Sequence, residues 1–116
     1  MRHRKQKATL GRPTAQRVAL MRSLADSLVL HGKIKTTLAK AKALRGVIEP
    51  LVTKARRGTL ADRRLIIKTL YTDEAIKKMM DEIGPKYKER QGGYTRIIKI
   101  GARKNDAAEV AYIEFV

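Results

Sequence analysis

Residues 37–58, TLAKAKALRGVIEPLVTKARRG, decide the fold. Small and aliphatic residues recur in this stretch at every third or fourth position, so it predicts one long helix with a single apolar face. Thr37 can cap the start of the helix with its hydroxyl, and Gly58 can end it in the left-handed conformation. Pro50 lies inside the pattern, where its ring clashes with an earlier carbonyl and it donates no hydrogen bond. We therefore expect one kinked helix rather than two.

Three further segments show helical periodicity, with capping residues at their ends. They run from Thr14 to His31-Gly32, from the Thr59–Asp62 capping box to about Leu70, and from Thr72 to Gly84-Pro85. Ile34-Lys35-Thr36 is short and β-branched, which predicts a brief strand. Residues 94–100 and 109–116 are β-branched and aromatic runs, which should pair antiparallel across the loop between them.

This order predicts an α+β fold: a helix, a short strand, three helices and two antiparallel strands. The helices should pack on one face of a small mixed sheet. Residues 14–116 are expected to form this single domain. Residues 1–13 lack apolar periodicity and are expected to form a basic, extended N-terminal arm.

Charge limits the function classes that this chain can serve. Its 116 residues include 27 Lys and Arg but 11 Asp and Glu, a formal net charge of +16. A field of this size favours nucleic acid as the partner and an anionic membrane surface as the second choice. No apolar run approaches the roughly 20 residues of a spanning helix, so integral membrane insertion is not expected. The chain has no cysteine, which excludes disulfides and thiolate metal sites.

Catalysis is not expected, because no constellation of reactive residues is visible. His3 and His31 are the two histidines, and neither forms a pair at metal-ligand spacing. Phosphate-binding loops of Walker or Rossmann spacing are absent from the sequence. Asp81-Glu82 is the nearest approach to a carboxylate pair, but adjacent helical side chains point in different directions. We expect no catalytic residue, metal, cofactor or small-molecule substrate.

Two basic segments are candidates for contact with nucleic acid. The first surrounds the start of the second helix, where Lys42, Arg45 and Arg56 should lie on its outer side and Thr36 and Thr37 add hydroxyl groups. Its alternative interpretation is a solvated basic face. The second is residues 85–96, PKYKERQGGYTR, where two tyrosines stand among four cations. Tyr87 and Tyr94 could stack on unpaired bases or pack on the core, and the sequence favours neither.

Three stretches together carry a family resemblance: MRHRKQKATLGRP, HGKIKTTLAKAKALR and PKYKERQGGYTRIIKIGARKNDAAEVAYIEFV. They resemble, nearly end to end, the L-seventeen family of bacterial large-subunit ribosomal proteins. The resemblance implies a non-catalytic, cytoplasmic constituent of the large ribosomal subunit that binds large-subunit rRNA and supports assembly and translation. It also implies a protein neighbour, expected from the L-thirty-two family.

Carried over by position, the resemblance places rRNA contacts on fifteen residues. These are Arg2, His3, Arg4, Lys5, Lys7, Arg12, Arg17, Lys35, Thr36, Thr37, Lys40, Lys42, Arg90, Tyr94 and Arg96. The arm makes a poor targeting peptide, because it lacks serine and an apolar face. We expect it to become ordered on RNA.

A DNA-compacting or regulatory protein is the alternative among nucleic-acid binders. Such proteins usually present a recognition helix from a two-fold dimer. The sequence shows neither a clear helix-turn-helix nor a dimer seam. RNA is therefore the favoured partner.

Overall fold

The structure, a computed structural model, describes residues 14–116, and its elements follow the predicted order. They are α1 Thr14–His31, β1 Lys33–Thr37, α2 Leu38–Arg57, α3 Leu60–Ile67, α4 Asp73–Lys78, a π-helical turn Met79–Ile83, α5 Gly84–Lys86, β2 Thr95–Ala102 and β3 Glu109–Phe115. The α+β class is thereby confirmed. The proposed arm lies outside the described residues.

The ends of α2 are set by the residues that the sequence indicates. The Thr37 hydroxyl accepts a hydrogen bond from the backbone N–H of Lys40 at 3.3 Å. Gly58 adopts φ +66° and donates its N–H to the Lys54 carbonyl at 3.1 Å. Pro50 lies inside this single helix, which confirms one helix rather than two. The kink stays a prediction.

The sheet has the strand order β1-β3-β2, and both pairings are antiparallel. The predicted hairpin of β2 and β3 is confirmed, with a bulge between Lys99 and Gly101. The expectation of a mixed sheet was wrong. Three helical segments separate β1 from the hairpin, namely α2, α3 and the continuous run from α4 to α5, and a connection of that length permits either strand direction. The sequence pattern therefore did not determine how β1 joins β3.

One face of the sheet contributes to the core. Ile34, Ile113 and Ile97 are cross-strand neighbours and pack with the buried side chains of the helices. The next cross-strand row, on the opposite face, is Lys35, Tyr112 and Ile98, and its two outer members are exposed. We call this second side the open face of the sheet. Alternate residues of a strand point to opposite sides, so the side chains of the open face point away from the core. This face is therefore available to a partner.

Gly84-Pro85 does not end the last helical segment, contrary to the prediction. The segment continues from α4 through the π-helical turn into α5. A Cβ at Gly84 would lie 2.4 Å from the Ala55 carbonyl oxygen, so glycine permits a close approach to α2. The π-helical turn shifts the hydrogen-bond register ahead of Pro85, which has no N–H to donate.

Candidate nucleic-acid interface

The junction between β1 and α2, residues 35–42, concentrates positive charge at a helix start. We call it the β1–α2 junction. Lys35 and Lys42 are exposed, and Lys40 is half-buried in the first turn of α2, which contains no acid. Cations at this end oppose the helix dipole and cost about 0.3–1 kcal/mol each unless an anion is present. The arrangement therefore favours a bound anion.

A shallow groove of about 560 Å³ runs beside the junction. Its lining includes Thr37, Leu38 and Lys42 from the junction, with Glu109 at the start of β3 and Ala108 just before it. The Thr37 hydroxyl oxygen accepts from Lys40, so its own hydrogen remains able to donate to a phosphate oxygen. Hydroxyl and ammonium donors side by side are typical of phosphate contacts.

The open face of the sheet also carries cations, in addition to those of the β1–α2 junction. Arg96 on β2 and Lys33 on β1 both contact Glu114 on β3, at 3.1 and 3.6 Å. The Lys33 ammonium also lies 4.2 Å from the centre of the Tyr112 ring. Since Lys35 is paired with Tyr112, the structure brings the predicted residues Lys35 and Arg96 onto one face. Sequence reasoning overlooked Tyr112, although the strict alternation in β1 could have revealed this face.

The remaining predicted contacts lie on other elements or outside the described residues. On α1, Arg17 donates to the Thr14 hydroxyl at 3.1 Å. Arg90 is exposed in the turn before β2 and donates to the Gly92 carbonyl at 3.3 Å. Thr36 is half-buried and pairs with Ala111, so it belongs to the side of the sheet that faces the helices. Those outside the described residues are Arg2, His3, Arg4, Lys5, Lys7 and Arg12.

The two tyrosines of residues 85–96 belong to the core. Tyr87 is 4% exposed and Tyr94 is 1% exposed, and their ring centroids lie 5.4 Å apart. The Tyr94 hydroxyl donates to the Arg90 carbonyl at 3.2 Å. Of the two alternatives that the sequence left open, core packing is the one observed. We therefore remove Tyr94 from the candidate RNA contacts, because a ring buried this deeply cannot stack on a base.

Arg56 does not present its charge outward as predicted. Its guanidinium donates to the carbonyls of Tyr87 and Lys88, at 2.9 and 3.0 Å, and to the Tyr94 hydroxyl at 3.4 Å. These bonds fix the turn that precedes β2 against α2. Helical spacing identified the side of α2 correctly but could not show that another segment covers it.

Two acids, Asp26 and Glu49, accept hydrogen bonds from backbone N–H groups that hold the fold together. The cations of the β1–α2 junction are therefore left available to a partner. The Asp26 carboxylate accepts from the backbone N–H groups of Tyr71 and Thr72, at 3.0 and 3.2 Å. The Glu49 carboxylate likewise accepts a hydrogen bond from the backbone N–H of Thr95, at the start of β2. Both acids join elements distant in sequence and neutralise no cation of the β1–α2 junction.

Two Arg–carboxylate pairs perturb the titration of their acids. Hydrogen bonds from Arg57, and secondarily from Thr59, lower the pKa of Asp62 from 3.8 to about 2. The Asp62–Arg57 separation is 2.8 Å. Arg103 likewise lowers the pKa of Asp106 to about 2 and contacts it at 2.6 Å. Both acids therefore stay ionised at neutral pH, and each offsets one cation locally.

The remaining acids are exposed, and most lie in one segment of the chain. They are Asp73, Glu74, Asp81, Glu82, Glu89 and Glu109. Five of these six belong to residues 73–89, which comprise α4, the π-helical turn, α5 and the turn that follows. The sixth, Glu109, lines the groove beside the β1–α2 junction. A polyanion should therefore avoid residues 73–89 and meet the lysines of the junction rather than the Glu109 side of the groove.

The described residues offer little to other classes of site. Residues 14–116 contain no group of three or more His, Asp or Glu side chains that could hold a metal ion. Among the helices of the same range, none has the length and apolarity needed to cross a membrane.

Comparison with known proteins agrees with the resemblance noted in the sequence. The family model described as Ribosomal protein L17 matches residues 20–116. Over 116 residues, the chain is 53% identical to the "Large ribosomal subunit protein bL17" of Gemmatimonas aurantiaca, covering 100% of this chain and 98% of that relative. The chain therefore belongs to the ribosomal protein L17 family.

Proposed function

We propose that this protein is a structural constituent of the large ribosomal subunit that binds large-subunit rRNA and supports ribosome assembly and translation in the cytoplasm. Membership of the ribosomal protein L17 family supports this role and argues against catalysis. Residues 14–116 act as one rRNA-binding domain, and residues 1–13 act as a basic arm that enters folded RNA. No cofactor is needed.

The observation that carries the proposal is the β1–α2 junction. Lys35, Lys40 and Lys42 lie within eight residues at a helix start that contains no acid. Neutralising phosphate with such residues releases counterions, so affinity falls as salt rises. Recognition depends on shape and backbone, because A-form helices expose little sequence information in their deep groove.

Binding to large-subunit rRNA fragments across a salt series tests the junction directly. The triple variant Lys35→Gln, Lys40→Gln, Lys42→Gln should reduce the slope of log K against log salt by about 0.7–0.9 for each phosphate that it no longer neutralises. The matched control removes three exposed cations from the acidic segment, Lys77→Gln, Lys86→Gln, Lys88→Gln. Equal slopes for the two triple variants would contradict the proposed role of the junction.

Deletion of residues 2–12 tests the arm. The shortened protein should still fold, because residues 14–116 contain a buried core of their own, but it should enter large subunits poorly. Normal incorporation would contradict a role for the arm. Co-sedimentation of the full chain separates ribosome binding from the DNA-binding alternative, which predicts recovery with DNA and not with ribosomes.

A protein neighbour is part of the proposal. The family resemblance implies a partner from the L-thirty-two family, in addition to the rRNA. Chemical cross-linking of assembled large subunits, followed by mass spectrometry, tests this contact. Absence of any cross-link between the two proteins, with other neighbours of the same subunits detected, would count against it.

A further inference from the structure

The side chains of Arg22 and Tyr71 form a stacked pair. Arg22 belongs to α1 and Tyr71 to the connection between α3 and α4, so neither is part of the β1–α2 junction. The Arg22 guanidinium carbon lies 4.3 Å from the centre of the Tyr71 ring. Tyr71 nevertheless remains 49% exposed. A cation therefore covers one ring face, and about half of the residue is still accessible to a ligand.

Hydrogen bonds on both sides of the pair hold it in place. The Arg22 Nε donates to the Thr69 carbonyl at 3.0 Å, which orients the guanidinium plane. The Tyr71 backbone N–H donates to the buried Asp26 carboxylate at 3.0 Å. Asp26 also accepts from the N–H and hydroxyl of Thr72. A platform fixed before binding loses less conformational entropy when a ligand arrives.

Exposed apolar and basic residues lie within four positions of Arg22 or Tyr71 in the chain. Val18 precedes Arg22 by one helical turn and is 53% exposed, and Ile67 at the end of α3 is 44% exposed. Lys68 is exposed next to Ile67. Asp26 is occupied by backbone donors, and the next acids in sequence, Asp73 and Glu74, begin α4.

From these contacts we propose that Tyr71, backed by Arg22, is a stacking platform for an unpaired base of large-subunit rRNA. This inference rests on the proposed function and adds a base-contacting site to it. Aromatic side chains that stack on splayed bases, with cations to meet the adjacent phosphates, are a common solution in single-stranded RNA recognition. The Arg22 charge and the half-exposed apolar neighbours suit a flat anionic nucleotide better than an apolar protein segment.

Two single-stranded probes of equal length separate stacking from charge: an oligoadenylate and an abasic ribose-phosphate strand. The wild-type protein should bind the oligoadenylate more tightly. Tyr71→Ala should weaken oligoadenylate binding about 5- to 150-fold for one stacked base and leave abasic-strand binding unchanged. Tyr71→Phe should retain the preference, since the ring is preserved. Both variants are compared with wild type by thermal unfolding.

Each other result has a distinct meaning. Equal binding of both probes by wild type, or a preserved preference in Tyr71→Ala, would overturn the platform while leaving phosphate binding intact. Failure of both probes to bind would count against the proposed rRNA-binding function itself, and would overturn the platform with it. Ultraviolet cross-linking of wild-type protein in large subunits needs no variant: an adduct between Tyr71 and a nucleotide supports the platform, and a cross-link to another protein overturns it.

Discussion

The Glu49 carboxylate in the middle of α2 holds Thr95, the first residue of β2. One carboxylate oxygen accepts from the Thr95 backbone N–H at 2.9 Å and from its hydroxyl at 2.8 Å. The other accepts from the Tyr94 N–H at 3.2 Å. A single side chain therefore fixes where the sheet begins relative to the central helix, although 46 residues separate the two partners.

Glu49→Gln should destabilise the protein, because an amide replaces an ionised acceptor of three hydrogen bonds. We expect a loss of about 1–3 kcal/mol in the free energy of unfolding, measured by urea denaturation. Glu89→Gln is the control, since Glu89 is exposed in the turn after α5. If the two substitutions cost the same, Glu49 does not anchor the sheet.

Two glycines in helical segments should respond to alanine in opposite directions. Gly84→Ala places a Cβ 2.4 Å from the Ala55 carbonyl oxygen, and the expected cost is about 1–3 kcal/mol of unfolding free energy. Gly46→Ala meets nothing within 4 Å inside α2 and should stabilise by about 0.5–1 kcal/mol. Thermal unfolding compares them, and a Gly84→Ala variant as stable as wild type would contradict the close approach at Gly84.

The sequence predicted the elements whose signals are local. Thr37, Thr59 and Thr72 each cap the helix that the pattern assigned to them, because a cap depends on residues three positions away. Arg56 was misplaced and Tyr94 was left undecided. Arg56 bonds to the Tyr87 carbonyl and to the Tyr94 hydroxyl, and both contacts span more than thirty residues. Helical periodicity reveals which side of a helix a residue occupies, but not which segment covers it.

Residues of the candidate site show the same difference between local and distant signals. Lys35, Lys40 and Lys42 were identified because they are close in sequence, in a stretch that contains no Asp or Glu. Tyr71 was overlooked, because nothing local distinguishes it from a tyrosine that packs on the core. Its significance depends on Arg22, a residue of α1 that the fold brings within stacking distance.

Acid should weaken the fold through Asp62. Its pKa is depressed in the folded state from 3.8 to about 2, mainly by Arg57. The stabilisation is therefore complete above about pH 4 and is lost as pH falls toward 2. Asp62→Asn should make the unfolding free energy depend less on pH between about pH 4 and 2. The dependence that remains should come from Asp106, whose pKa is also lowered to about 2. An Asp62→Asn variant that keeps the full wild-type slope would contradict the role of the Asp62–Arg57 pair.

Tyr94→Phe separates a core role from an RNA-binding role. The substitution keeps the ring against Tyr87 but removes the hydroxyl that donates to the Arg90 carbonyl. We expect a loss of about 0.5–1.5 kcal/mol of unfolding free energy, with unchanged affinity for large-subunit rRNA once the variant is folded. Chemical denaturation and a binding titration at fixed salt measure the two quantities. Because the buried ring cannot reach a base, weaker RNA binding by a variant of full stability would contradict the core assignment.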